Sequence, residues 1–487
     1  MNSLRDVNIK MLATLAGIII FLSFVSERIF ASDGLGYDGG VYGYIAIRFQ
    51  DYLHGEFKEL LLPGNAFYNR FLLSALCHYT LQVLGADLNT PNVITFFRIY
   101  EAIVLFGTGL LWCSVSDFLG LGHRGKWWGF LGLFGNYAVL KYAFYYPVLM
   151  DVSALFLGLA LLHCYLTRRN ILLATTIGIS FFVWPMATLM GLLLLMAPRS
   201  EPSYAPPQID RTYTIISVIA VALLLVPKLL PPATMTSAPT FRSALPLSVA
   251  IVACYLFVAF RSLLPRLLSA VMDCARDKNF LLRCLALIGL ALLLPLFSTI
   301  FSPLKALSMA TTYFSSMINN SINRPAESFV AIILYFGPIM IFAAYFFRPF
   351  LHQCRSFGAG YFFVMLLLVF QSLNPLSRQM IAGLPFFIVP IAMVLDRVSF
   401  PSGFVNFFVA ASLLISKVWM LNNIGIDTSL PGEGNPTYWT RYTSSTGWWM
   451  TDEAYLIQAV LCIVGVLLLI IYLNGRNIRE SEPGTPH

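Results

Sequence analysis

Asp38 stands in the run Ser32-Asp33-Gly34-Leu35-Gly36-Tyr37-Asp38-Gly39-Gly40, a carboxylate among glycines just beyond an apolar segment. A carboxylate so placed could take a proton from a sugar hydroxyl as a general base, or hold a divalent metal with Asp33. The glycines would let backbone approach a ligand closely, and the same run also fits an ordinary Asp-Gly turn. Asp151 follows Tyr145-Tyr146-Pro147 at the head of another apolar run. An acid at that depth is costly unless paired or wet, although in a first helical turn it also complements the helix dipole. Arg70, in Tyr68-Asn69-Arg70, and Arg378, in Asn374-Pro375-Leu376-Ser377-Arg378, supply guanidinium groups. Each could clamp a phosphate through two parallel hydrogen bonds, or snorkel to lipid headgroups.

The elements that must position these groups are apolar. Hydrophobic residues make up 58% of the 487 and charged residues 11%, with a mean hydropathy of +0.75. A soluble domain would be about a quarter charged, so lipid is the solvent for most of this chain. Only helices and closed barrels satisfy their backbone in lipid, and long apolar runs rather than alternating strands predict helices. The net charge of +8 sits in short basic clusters between the apolar runs, as topology signals do, which argues against nucleic acid as a partner. The 8 cysteines lack CxxC spacing and predict neither a disulfide framework nor a zinc site.

Runs long enough to cross ~30 Å of hydrocarbon fall near 11–30, 94–119, 128–145, 148–167, 213–230, 246–264, 283–302, 327–348, 358–373, 380–396, 402–421 and 453–474. The shorter pair 171–182 and 184–197 flanks Trp184-Pro185 and reads as a hairpin, either full or re-entrant. Segments Val41–Leu53 and Arg70–Leu84 carry polar residues and read as amphipathic helices in the interface. That leaves a first outside loop over 31–93 and a last one, polar and aromatic, over 422–452, with Tyr438, Trp439, Arg441, Tyr442, Trp448 and Trp449. Alternating the spans from an inside N-terminus puts Arg5/Lys10, Arg124/Lys126, Arg168/Arg169 and Arg397 in the cytoplasm. Asp38, Arg70, Asp151 and Arg378 then share the opposite face.

This pattern resembles the GT-C superfamily of integral membrane glycosyltransferases, especially bacterial members that use polyprenyl-phosphate sugars. The similar segments are Asp38-Gly39-Gly40-Val41-Tyr42-Gly43-Tyr44, Tyr68-Asn69-Arg70-Phe71-Leu72, Tyr146-Pro147 to Asp151, and Arg378 to Pro385. The resemblance implies an all-α polytopic, GT-C-like fold of roughly 12–14 transmembrane helices, with interfacial helices in the first outer loop. It also implies a multi-pass enzyme of the bacterial inner membrane, facing the periplasm. Such an enzyme would move a sugar from a polyprenyl-phosphate donor to a glycan, lipid or protein acceptor. Asp38 would be the general base and Arg378 would bind the carrier phosphate. Asp151 and Arg70 would position substrate or metal, and Tyr68 and Tyr146 would line the substrate. The tandem acidic pair of several GT-C families is absent here, which leaves the metal requirement open. The rival readings are a lipid-linked glycan flippase or transporter, a glycan polymerase and a noncatalytic scaffold. A transporter would call for charges along a midmembrane path and two similar halves, and the sequence has few central charges and no convincing repeat.

Overall fold

The computed structural model describes residues 2–54, 70–197, 211–229, 244–285 apart from 277, 320–420 apart from 402, and 450–474 apart from 451, with Gly289 and Met317 besides. Tyr68, all of the predicted span 283–302 but 283–285 and 289, and the aromatic residues of the last loop before Met450 therefore lie outside the described residues.

Among the described residues the chain is helical, with no strand. In chain order the α-helices are α1 (Asn2–Val25), α2 (Tyr37–Ile47), α3 (Phe49–Leu53), α4 (Leu72–Val83), α5 (Thr90–Phe118), α6 (His123–Phe134), α7 (Ala143–Tyr145), α8 (Asp151–Leu166), α9 (Asn170–Phe181) and α10 (Pro185–Met196). They continue as α11 (Arg211–Leu229), α12 (Leu245–Ala275), α13 (Glu327–Phe336), α14 (Ile339–Tyr345), α15 (Phe347–Ser356), α16 (Ala359–Gln371), α17 (Leu384–Asp396), α18 (Phe404–Ile415) and α19 (Asp452–Asn474). A tight 3₁₀ stretch, Ser377–Gly383, leads into α17. Among the described residues five segments are long and apolar enough to cross a membrane: Arg5–Val25, Thr90–Phe118, Leu245–Ala275, Ser377–Asp396 and Asp452–Asn474. Seven shorter apolar helices accompany them, including α8, α9, α10 and α16. The fold is compatible with a multi-pass membrane protein.

Two predicted spans are interrupted. The run 128–145 breaks after Phe134, because the Asn136 amide donates to the carbonyls of Gly132 and Leu133 while its oxygen accepts from Val139 N–H. A single π-helical turn, Ala138–Tyr142, follows. The run 327–348 breaks at Gly337-Pro338, where Gly337 takes a left-handed φ of 82° and the proline has no N–H to continue the ladder. The hairpin of α9 and α10 turns at Trp184-Pro185. Its turn receives a backbone bond from Leu72 N–H to Phe182 O at 3.4 Å, which places it against α4.

Long-range bonds sort the helix ends into two levels. At one end Asn8 and Lys126 both bond Asp117, and the N–H groups of Gly122 and Gly125 donate to Asp396 at 2.8 Å each. Tyr165 Oη donates to Phe357 O at 3.0 Å, and Arg355 pairs with Asp273 at 2.6 Å. At the other end Arg324 pairs with Asp452 at 2.7 Å, Ser328 Oγ donates to Leu373 O at 2.6 Å and Lys141 Nζ donates to Met420 O at 2.6 Å. Lys126 and Arg124 thus lie at the opposite end from Asp38, Asp151 and Arg378.

Lipid tails are as apolar as leucine, so helices in a bilayer associate by close packing, and small residues mark their contacts. A Cβ on Gly129 would sit 2.0 Å from Trp112 Cζ2, and one on Gly158 would sit 1.9 Å from the carbonyl oxygen of Ala382. The second contact presses α8 against the 3₁₀ stretch that carries Arg378.

Candidate functional site

Asp38 lies in the first turn of α2 rather than in a free loop. The N-cap, Gly36, has φ +77° and offers no side-chain cap. The unsatisfied amides of a first turn need an acceptor from elsewhere. Tyr146 provides one, its hydroxyl accepting from Gly39 N–H at 2.9 Å. The glycines serve this contact: a Cβ on Gly36 would meet the Tyr146 ring at 2.2 Å, and one on Gly39 would meet it at 2.7 Å. What approaches the glycine-rich backbone is therefore an aromatic ring of the protein itself, which corrects the expectation that these glycines make room for a ligand.

Arg378 joins the two acids. Its Nη1 donates to Asp38 Oδ2 at 2.9 Å, and its Nε lies 3.6 Å from Asp151 Oδ1. The Arg378 side chain is 11% exposed, that of Asp151 5% and that of Asp38 38%. The cluster thus has a closed floor at Asp151 and an open rim at Asp38. Asp151 opens α8, as its sequence position predicts, and its Oδ2 accepts from Tyr335 Oη at 2.9 Å.

Arg70 precedes α4 and reaches the same neighbourhood from that side. Its Nη1 donates to Tyr42 Oη at 3.3 Å, and its guanidinium stacks 4.9 Å above the Trp184 ring. A cation over an aromatic face is held in orientation as well as attracted. Burial pushes the hydroxyls of Tyr42 and Tyr146 above the usual phenol range, against the opposing pull of Arg70 on Tyr42. Both phenols therefore keep their protons at neutral pH, and both accept, Tyr42 from Arg70 and Tyr146 from Gly39 N–H.

Asp33 is exposed and sits in a strained turn with φ +54°. Asp38 already accepts from a guanidinium, and among the described residues no three His, Cys, Asp or Glu side chains gather. The described residues here do not fit a cage of protein ligands around a divalent ion.

The fold thus brings together Asp38, Asp151, Arg378 and Tyr146, with Arg70 joined through Tyr42, from segments more than 300 residues apart in the chain. Sequence reasoning passed over Tyr335 and Trp184. Tyr335 is a lone hydroxyl in an apolar run, and its position on α13 gives no hint that it faces Asp151. Trp184 was legible as a helix break but not as a platform for Arg70. No protein-family model, curated protein or solved structure matches this chain.

Proposed function

We propose that this protein is a membrane glycosyltransferase that moves a sugar from a polyprenyl-phosphate donor to a hydroxyl on a glycan, lipid or protein acceptor at the extracytoplasmic face. The observation that carries the reading is the single guanidinium held between a half-exposed acid and a buried one, Asp38–Arg378–Asp151. Arginine presents five N–H donors in a planar fork, and the two ion pairs draw on Nη1 and Nε. A donor phosphate arriving at the rim competes with Asp38 for the fork. Arg378 then turns from carboxylate to phosphate, and Asp38 is released to the acceptor.

Asp38 takes the proton of the acceptor hydroxyl as the oxygen bonds to the anomeric carbon. The bond from that carbon to the phosphate oxygen breaks, and its electron pair stays on the phosphate, where Arg378 meets the growing charge. A single displacement of this kind inverts the anomeric configuration. Asp151 and Tyr335 hold the arginine from behind.

An apolar cavity of about 450 Å³ supports a lipid-linked donor. Its lining includes Ala259, Ile332, Phe347, Met365, Met380 and Phe387, and Met380 lies two residues beyond Arg378 in the same 3₁₀ stretch. The hydroxyls of Tyr255 and Ser372 in the lining bond each other at 2.6 Å, so the wall presents little unsatisfied polarity to an isoprenoid tail.

The test is turnover of purified protein in bilayers with polyprenyl-phosphate sugars and a panel of hydroxyl acceptors. Transfer should fall on the order of 10²–10⁴-fold in Asp38→Asn while the fold is retained. Unchanged turnover in that variant would remove the base assignment. Movement of the donor across the bilayer without chemistry would favour the flippase.

A further inference from the structure

Glu101 lies in the middle of α5, 1% exposed, and neither carboxyl oxygen has a hydrogen-bond partner among the described residues. Nothing in the mechanism above uses it. Its level in the bundle is fixed by the register of two parallel helices. Ser153 Oγ donates to Tyr100 Oη at 3.1 Å, a Cβ on Gly107 would touch Phe156, and Ser114 Oγ bonds His163 Nε2 at 3.0 Å. These pairs set residue 101 at the level of the first turn of α8, which begins with Asp151. Asp151 is the acid at that level of α8, and Tyr100, bonded to Ser153, is the neighbouring titratable group on Glu101's own helix. The basic residues of α1, which packs against α5, are Arg5 and Lys10 at the far end of the bundle.

Asp151 has a complementary defect. Its Oδ2 is served by Tyr335, but Oδ1 is buried with no hydrogen-bond donor, since Arg378 Nε stands 3.6 Å away. An isolated ionised carboxylate buried among apolar groups is so costly that it takes up a proton instead. A protonated carboxyl carries one O–H donor, which is what Asp151 Oδ1 lacks.

We propose that Glu101 and Asp151 form a carboxyl pair that holds one proton, Glu101 donating it to Asp151 Oδ1, so that Glu101 is a positioning residue for Arg378. The proton satisfies both acids at once. It leaves Asp151 ionised to face the arginine and keeps a third negative charge out of the cluster. Glu101 acts through Asp151 and touches no substrate. The effect on Arg378 rests on the reading that this arginine binds the donor phosphate, whereas the shared proton does not.

Infrared spectroscopy of the full-length protein in bilayers separates the two. At neutral pH the wild type should show a protonated carboxyl C=O stretch that disappears in Glu101→Gln and persists in Asp38→Asn. If that band is absent from the wild type, or survives in Glu101→Gln, the shared proton is overturned. Binding of polyprenyl phosphate, followed by tryptophan fluorescence, tests the consequence. The glutamine amide still donates a hydrogen bond, so Glu101→Gln should bind as the wild type does. Glu101→Leu should bind roughly 10- to 100-fold more weakly, the equivalent of one charge-assisted hydrogen bond. Equal weakening in both variants would overturn the positioning role. If the wild type shows the carboxyl band but fails to bind polyprenyl phosphate, the proton pair stands and the phosphate reading falls.

Discussion

Arg378 makes two ion pairs with different amounts of water around them, and the difference decides what a substitution does. The bond to Asp38 is at the rim, where solvent screens it. The contact with Asp151 is buried, where removing one partner strands a charge. Lysine keeps the charge but replaces a planar fork with a point donor, so it cannot face Asp38, Asp151 and a phosphate together. Arg378→Lys should therefore fold, and its kcat/KM for transfer should fall on the order of 10²-fold, as measured by steady-state kinetics with a polyprenyl-phosphate sugar. Tyr146 is a different case, because its hydroxyl serves the backbone. Tyr146→Phe leaves Gly39 N–H without its acceptor at 2.9 Å, and burying that amide unpaired costs about 1–3 kcal/mol. The measurement is the thermal unfolding midpoint in detergent, which should drop. The acids and Arg378 were legible because charge is rare in so apolar a chain and its few instances stand out. Tyr335 and Glu101 were not, since one polar group inside a hydrophobic run shows its importance only when the neighbouring helix is known.

Helices bring these residues together only because particular glycines let them. The glycine motif around Asp38 was legible as unusual, but its purpose was misread, because a sequence does not say what approaches a missing Cβ. Here it is Tyr146, from a segment more than 100 residues away. Gly158 makes the same kind of contact where it matters most for the cluster. It sits two turns into α8 from Asp151, and its α-carbon faces the carbonyl of Ala382 in the stretch that carries Arg378. Gly158→Ala would put a methyl carbon 1.9 Å from that oxygen. The neighbour is backbone, so α8 and the 3₁₀ stretch must separate. Overpacking of this sort costs about 1–3 kcal/mol, and the displacement opens the 3.6 Å contact between Arg378 and Asp151. The variant should lose transfer activity out of proportion to its stability, read by comparing kcat/KM with the unfolding midpoint. Gly178→Ala, where a Cβ meets nothing within 4 Å, is the control and should leave both unchanged.

At the scale of the molecule, hydropathy gave helices and their approximate order because a bilayer leaves the backbone few alternatives. It gave continuity less well. Window averages run through Asn136 and through Gly337-Pro338, whereas the backbone answers to single residues that cap or break the ladder. Beside the break at Gly337-Pro338 an apolar cavity lies among α12, α13, α14, α15, α16, α17 and α19. Its lining runs from Leu351 in α15 to Met380, two residues from Arg378 in the same 3₁₀ stretch. A cavity that only relieved packing would be indifferent to donor length. One that seats an isoprenoid tail would not, because each buried methylene contributes about 0.8 kcal/mol. Ala259, 4% exposed on α12, lines the cavity. Ala259→Trp should fill it and raise KM for a long-chain donor while leaving a short-chain, water-soluble analogue as the wild type handles it. Equal losses on both donors would mean the cavity holds no tail, and the carrier would then have to lie against the outside of the bundle.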